Sequence, residues 1–196
     1  VSAGMEVLLL KRSAVGAFAN FWVFPGGRVD DADSGADELE RARTAAVREA
    51  HEEVGLVVDP SAIHPFSHWT PPAIQPRRFA TWFFVAHWAG DDVRVDGHEI
   101  VEHVWMTPEA ALAEQLPMAP PTVVSLHELA EAGSFAGTRR SEYPRYVTRP
   151  AKAANSIPVL LWHGDAGYES TDADLPGPRH RLWYPTDGPW TYERRS

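Results

Sequence analysis

The chain has 196 residues, 44% of them hydrophobic, with eight Trp and eight Phe, enough apolar material for one large domain or a domain with an extension. It has no cysteine, which excludes disulfides and thiolate metal sites, and no apolar run of the length that crosses a bilayer. The net charge of −9 argues against non-specific nucleic-acid binding, and it means that an anionic substrate needs local positive charge from a metal or from arginine.

No secretory leader pattern opens the sequence, so a cytoplasmic protein with no membrane association is expected. Residues 5–12 read as a strand, residues 13–22 as a loop of small residues, and Phe21-Trp22-Val23-Phe24 as a short apolar strand running into Pro25-Gly26-Gly27. A helix is predicted from about Asp37 to Val54. Acidic residues crowd its first turn, Gly55 follows as a cap, and Leu39, Ala42, Ala46 and Ala50, with Val47 and Val54, make a narrow apolar stripe. Arg77 to Trp88 reads as one long strand, residues 89–98 as a loop or edge element, and Glu99 to Met106 as another strand. Thr107-Pro108 opens a helix with Thr as N-cap. Pro117 to Pro121 breaks the chain, and Thr122 caps a helix ending near Gly133.

Residues 134–158 are basic and show little periodicity. Ile157 to Trp162 reads as a strand, and Arg179 to Tyr184 with Trp190 to Arg194 as a hairpin around Thr186-Asp187-Gly188-Pro189. The alternation of strand and helix signals predicts the α/β class, a mixed sheet flanked by helices. The expected division is a domain over residues 1–133 and a C-terminal extension over residues 134–196.

The segment Arg48-Glu49-Ala50-His51-Glu52-Glu53-Val54-Gly55-Leu56 carries the chemistry. On a helix, Glu49, Glu52 and Glu53 stand at i, i+3 and i+4 and leave from one face. Like charges that close repel, so a partner is expected, and a hard divalent cation suits oxygen ligands and phosphate chemistry. His51 is read as a surface histidine, and no HExxH, P-loop or GxGxxG pattern is present.

That segment resembles the core of the Nudix box, R-E-U-x-E-E-x-G-U with U aliphatic or small, and Phe24-Pro25-Gly26-Gly27 looks like its glycine-rich start. Glu40 lies eight residues before Arg48, the usual place for the first glutamate of the box. Twelve residues separate Gly27 from Glu40 where the usual box has five, so residues from Val29 to about Asp37 read as a loop insertion. The resemblance implies a Nudix-type α/β/α sandwich with a mixed β-sheet and a further strand before the first one seen here. It implies Mg²⁺ (or Mn²⁺) held by Glu49, Glu52 and Glu53 with a carbonyl near Gly27, and an Arg48–Glu40 pair that orients these glutamates. It also implies a general base outside the box. Strand alternation puts Glu102 with Ile100, Val104 and Met106, and Glu99 with Val101, His103 and Trp105. Glu102 is preferred over Glu99.

Asn20 to Asp30, Pro76-Arg77-Arg78-Phe79-Ala80-Thr81-Trp82-Phe83-Phe84, Glu99-Ile100-Val101-Glu102, Pro120-Pro121-Thr122 and Arg179 to Leu182 together resemble the peroxisomal-type coenzyme A diphosphatase subfamily and its bacterial relatives. This implies cleavage of the diphosphate of CoA or acyl-CoA to 3′,5′-ADP and a phosphopantetheine. Arg77 and Arg78 are then candidates to hold phosphates, and Phe79 or Trp69 to stack on adenine or to pack in the core. The chain departs from these relatives at Ala80, where Asp is common, and it lacks the H-x-G-Q element of another CoA group. Three other readings stand beside it: a Nudix pyrophosphatase for ADP-ribose, NADH or a dinucleoside polyphosphate, a Nudix-fold binding module without catalysis, and an RNA-processing enzyme using Arg139 to Lys152 as a basic strip. The expected partner is a small-molecule nucleotide. The tail from about Ser134 either closes the pocket or builds a homodimer.

Overall fold

Leu8, Leu9 and Leu10 are all buried in β1 (Val7–Arg12), the pattern of a strand covered on both faces. β1 is the middle strand of a three-stranded sheet, between β2 (Trp22–Val23) and β5 (Ile100–Met106), both antiparallel to it. Leu10 stands opposite Val23 on one side and His103 on the other. The register shifts between Lys11 and Arg12, so that Arg12 meets Ile100, a bulge of the kind that re-aims side chains at a strand end. The computed structural model describes residues 4–16, 18–75, 78–90, 93–95 and 97–196.

Helix α1 (Glu38–Val54) has the ends its sequence predicts. The Asp37 side chain accepts from the backbone N–H of Glu40 at 2.9 Å, and Glu38 and Glu40 occupy the positive end of the helix dipole. Gly55 takes φ 72° and its N–H reaches the carbonyls of Ala50 and His51, a left-handed cap that glycine adopts without steric cost. Ala42, Ala50 and Val54 of the predicted stripe are buried, as is Ala45, whereas Leu39 and Ala46 are only partly covered. Ala50 and Val54 pack with Leu8, Leu10, Leu56 and Ile100 into one core cluster. Covering Val54 completely contributes about 1.5–3 kcal/mol, and this contact fixes the last turn of α1 on the β1–β5 sheet.

The chain divides into two compact units, residues 1–66 with 84–141 and residues 67–83 with 142–196. The first unit also holds α2 (Pro108–Ala113), α3 (Pro120–Ala132) and α4 (Phe135–Thr138). Thr107 caps α2 as expected, accepting from the N–H of Ala110 at 3.2 Å. Thr122 does not cap α3. The helix starts two residues earlier at Pro120, whose fixed φ suits the first helical position, and Thr122 is buried inside it.

β3 (His64–Thr70), which the sequence reading missed, joins β4 (Thr81–Val85) and β6 (Arg145–Val147) in the order β4-β3-β6. β6 runs parallel to β3, with His68 opposite Arg145. The parallel pair among antiparallel ones makes the fold mixed, of the α/β class. The long strand expected over Arg77 to Trp88 is shorter. Residues 78–80 are exposed and irregular, pairing is confined to β4, and Pro76 and Arg77 lie outside the described residues.

The second unit carries a four-stranded antiparallel sheet ordered β10-β9-β8-β7, from β7 (Arg149–Lys152), β8 (Pro158–Leu161), β9 (Arg179–Trp183) and β10 (Thr191–Arg195). The predicted final hairpin is present, with Thr191 opposite Trp183. Trp69 stacks on Tyr146 at 3.9 Å between ring centroids and meets Trp162 edge-on at 5.5 Å. At 3% exposure Trp69 is a core residue. Among the described residues no helix is long and apolar enough to cross a membrane.

Candidate active site

The last two turns of α1 carry Arg48, Glu49, Glu52 and Glu53, and bring Glu49 and Glu53 against the glycine turn after β2. Glu53 is the deepest, at 6% exposure, and its Oε2 accepts the backbone N–H of Gly26 at 2.9 Å. Gly26 sits at φ 152°, in the region that side chains avoid. At Gly27 a Cβ would run into the carboxylate of Glu49, so glycine there allows the close approach of loop and helix. Glu49 is mostly covered and Glu52 largely exposed.

Arg48 ties these pieces together. Its Nη1 donates to Glu49 Oε1 at 2.9 Å and to Glu52 Oε2 at 3.0 Å. Its Nη2 donates to the carbonyl of Arg28 at 2.9 Å and to Asp33 Oδ2 at 3.0 Å, and its Nε donates to Asp33 Oδ1 at 3.0 Å. The pair expected between Arg48 and Glu40 is replaced. Glu40 contacts Arg43 at 3.5 Å in the first turn, about 12 Å along the axis from Arg48 at the helical rise per residue. Sequence reasoning missed Asp33, whose one signal is that it is an acidic residue inside the insertion.

The electrostatics follow from these contacts. Hydrogen bonds from Arg48 hold the Asp33 carboxyl below the ordinary carboxylate range against the opposing effect of burial. Asp33 in turn, ahead of Glu49 and Glu52, raises the guanidinium of Arg48 further above its usual value. Burial pushes Glu53 up to about 7. The Gly26 N–H counteracts this, the charges of Glu49 and Glu99 add to it, and Arg12 opposes it.

Glu99 and Glu102, the two strand glutamates, differ in setting. Glu102 pairs with Lys11 at 3.1 Å on the exposed side of β5. Glu99 pairs with Arg12 at 3.4 Å, and both act electrostatically on Glu53. His51 is exposed, as expected. Arg78 and Phe79 belong to the second unit, where both are exposed, and Arg77 lies outside the described residues.

Among the described residues no three His, Asp or Glu side chains stand converged on a metal position. The donor chemistry nevertheless suits Mg²⁺ or Mn²⁺: three hard carboxylates on one helix face, one of them buried and shifted upward first by that burial and then by the charge of Glu49, beside a glycine turn with no side chain in the way. Arg48 engages one oxygen of each of Glu49 and Glu52, Oε1 and Oε2 respectively, so the second oxygen of each carboxylate can serve an ion while Arg48 stays bound.

The family model for the NUDIX domain matches residues 1–128. The chain belongs to the NUDIX domain family. It is a pyrophosphohydrolase of that family. Solved Nudix structures share its fold. A NUDIX hydrolase from Alicyclobacillus acidocaldarius is 21% identical, with 68% of this chain and 86% of that one covered at a TM-score of 0.61. The E. coli ORF135 protein is 25% identical, with 70% and 86% covered at a TM-score of 0.50. The NUDIX domain of Shewanella oneidensis NrtR, solved with ADP ribose, is 20% identical, with 67% and 79% covered at a TM-score of 0.50. No curated protein matches the chain. Divalent metals are the general cofactors of Nudix hydrolases.

Proposed function

We propose that this chain hydrolyses the diphosphate of CoA or acyl-CoA, giving 3′,5′-ADP and (acyl-)phosphopantetheine, with its Nudix domain in residues 1–133 and an extension in residues 134–196. The observation that carries the phosphoanhydride chemistry is the set Glu49, Glu52 and Glu53 on one face of α1, with Glu53 bonded to Gly26, Glu49 against Gly27, and Arg48 bridging Glu49 and Glu52. The choice of CoA rests on the sequence resemblance outside the box.

In this reading Glu49, Glu52 and Glu53 hold the metal, with a carbonyl near Gly27. A bound Mg²⁺ or Mn²⁺ lowers the pKa of water and neutralises charge on phosphoryl oxygens. Arg48 holds Glu49 and Glu52 in place through Nη1. A water oxygen bonds to one phosphorus, the bridging P–O bond breaks, and the leaving group departs as a phosphate monoester. A carboxylate takes the proton that the water loses. Both strand glutamates are paired, Glu99 with Arg12 and Glu102 with Lys11, and Glu99 suits that role better because its charge acts on Glu53. The sequence resemblance assigns Arg77, Arg78 and Phe79 to the nucleotide end, where an arginine gives charge-assisted bonds to the 3′-phosphate.

The test compares CoA with dephospho-CoA under Mg²⁺. One lost charge-assisted hydrogen bond corresponds to about a tenfold or greater fall in kcat/KM for dephospho-CoA. Equal rates on the two, with faster cleavage of ADP-ribose or NADH, would replace CoA by another nucleoside diphosphate derivative.

A further inference from the structure

Resting on the reading of a metal-dependent hydrolase, we propose that Asp33 is the positioning residue of the catalytic glutamates, and that the insertion rebuilds the box around it. The insertion is sewn to α1 at three points of one helix face. Arg41 donates to the carbonyls of Asp33 at 3.1 Å and Asp30 at 3.0 Å, Thr44 Oγ1 donates to the carbonyl of Ser34 at 2.8 Å, and Arg48 grips the Asp33 carboxylate. Gly35 lets the loop lie against the backbone of Glu40 and Arg41, where any Cβ would clash. Asp33 is 5% exposed, and its Oδ2 also accepts the N–H of Asp30 at 2.7 Å, so the carboxylate is fixed from its own side as well.

The consequence lies in the division of Arg48's donors. A guanidinium has five N–H groups in a rigid fork. Asp33 and the Arg28 carbonyl take Nε and Nη2, and this aims Nη1 at Glu49 and Glu52. Asp33 also balances the charge of Arg48. Without it Arg48 keeps on that side only the Arg28 carbonyl and the Asp30 carboxylate at 3.6 Å, and more of its charge falls on Glu49 and Glu52, in competition with a cation for the same two carboxylates. Glu40 lies a long way along the helix from this fork and contacts Arg43 instead.

The experiment measures Mn²⁺ affinity by the free-ion EPR signal, and kcat and KM by product chromatography, on the full chain. Asp33→Asn is expected to weaken Mn²⁺ binding and lower kcat by about 10–100-fold each, with KM changed less. Glu40→Gln is expected to match wild type in both. Combining Asp33→Asn with Arg48→Gln should lose no more than Arg48→Gln alone, because both act through one guanidinium. If circular dichroism shows Asp33→Asn unfolded, Asp33→Glu, which keeps the charge on a longer stem, is expected to give an intermediate loss of Mn²⁺ affinity. Wild-type Mn²⁺ binding in a folded Asp33 variant, an equal loss in Glu40→Gln, or multiplying losses in the double variant would overturn the inference while leaving the hydrolase reading intact. A wild-type protein that neither binds Mn²⁺ nor cleaves a diphosphate overturns both.

Discussion

Replacing Glu52 by Gln is expected to lower kcat by about 100-fold or more, with the fold unchanged. The two halves of that expectation have separate causes. Glu52 is largely exposed, and its side chain reaches Arg48 in an i,i+4 contact of 3.0 Å. Exposed pairs contribute about 0–1 kcal/mol, and removing one carboxylate also relieves repulsion with Glu49 and Glu53, so stability changes little. The loss of activity has no such compensation, since an amide supplies neither the charge that holds a divalent cation nor the charge balance that the site needs. Melting temperature and kcat measured on the same preparation check both parts. A variant that melts like wild type and turns over like wild type would remove Glu52 from the site.

The largest stability effect is expected far from the box, at Asp165→Ala. Arg181 is 1% exposed, and its Nε and Nη2 donate to Asp165 Oδ2 at 2.7 Å and Oδ1 at 2.6 Å. Its Nη1 donates to the carbonyl of Ala173 at 2.6 Å, and Asp165 also accepts the N–H groups of His180 and Gly167. The pair pins the loop after β8 to β9. Removing one partner leaves a buried charge uncompensated, at a cost of about 3–5 kcal/mol, a large share of a domain's stability of about 5–15 kcal/mol.

The pH dependence has a definite sign. Burial pushes the Asp165 carboxyl up, but Arg181 and the two backbone N–H groups outweigh it and hold the group below its ordinary value. The stabilisation is therefore present above the unfolded value of about 3.9 and is lost as pH falls through the lower folded value. Denaturant melts at neutral pH and in acid, followed by the near-ultraviolet signal of Trp69 and Trp162, should show a large gap between wild type and variant at neutral pH that closes in acid. A gap under about 1 kcal/mol at neutral pH would mean that the pair is not a pin.

The parts of this molecule that were legible in sequence are those fixed by local chemistry. α1 declared itself through Asp37, its acidic first turn and Gly55, and β10 paired with β9 as the turn residues suggested. β3 was hidden because Pro65 and two histidines within seven residues mask a strand whose burial comes from its neighbours. The opposite error arose at Arg77 to Trp88, where strand-forming residues run past the pairing that ends at β4. At α3 a proline outranked a threonine as the start signal.

The site divides in the same way. Glu49, Glu52 and Glu53 were readable because three carboxylates at helical spacing share a face. Asp33 was not, because which acid meets Arg48 depends on the path of a loop rather than on spacing along a helix. The Arg181–Asp165 pair was invisible for the same reason, its partners lying on either side of a long loop.

Metal-dependent hydrolysis of a phosphoanhydride at the box glutamates can be read in a single assay. The purified chain is incubated with CoA, acetyl-CoA, ADP-ribose and NADH in Mg²⁺ and in EDTA, and products are resolved by chromatography. Cleavage between the two phosphorus atoms is expected in Mg²⁺, with CoA yielding 3′,5′-ADP, and none in EDTA. Cleavage that persists in EDTA, or intact substrate throughout in Mg²⁺, would contradict metal-dependent hydrolysis at this site.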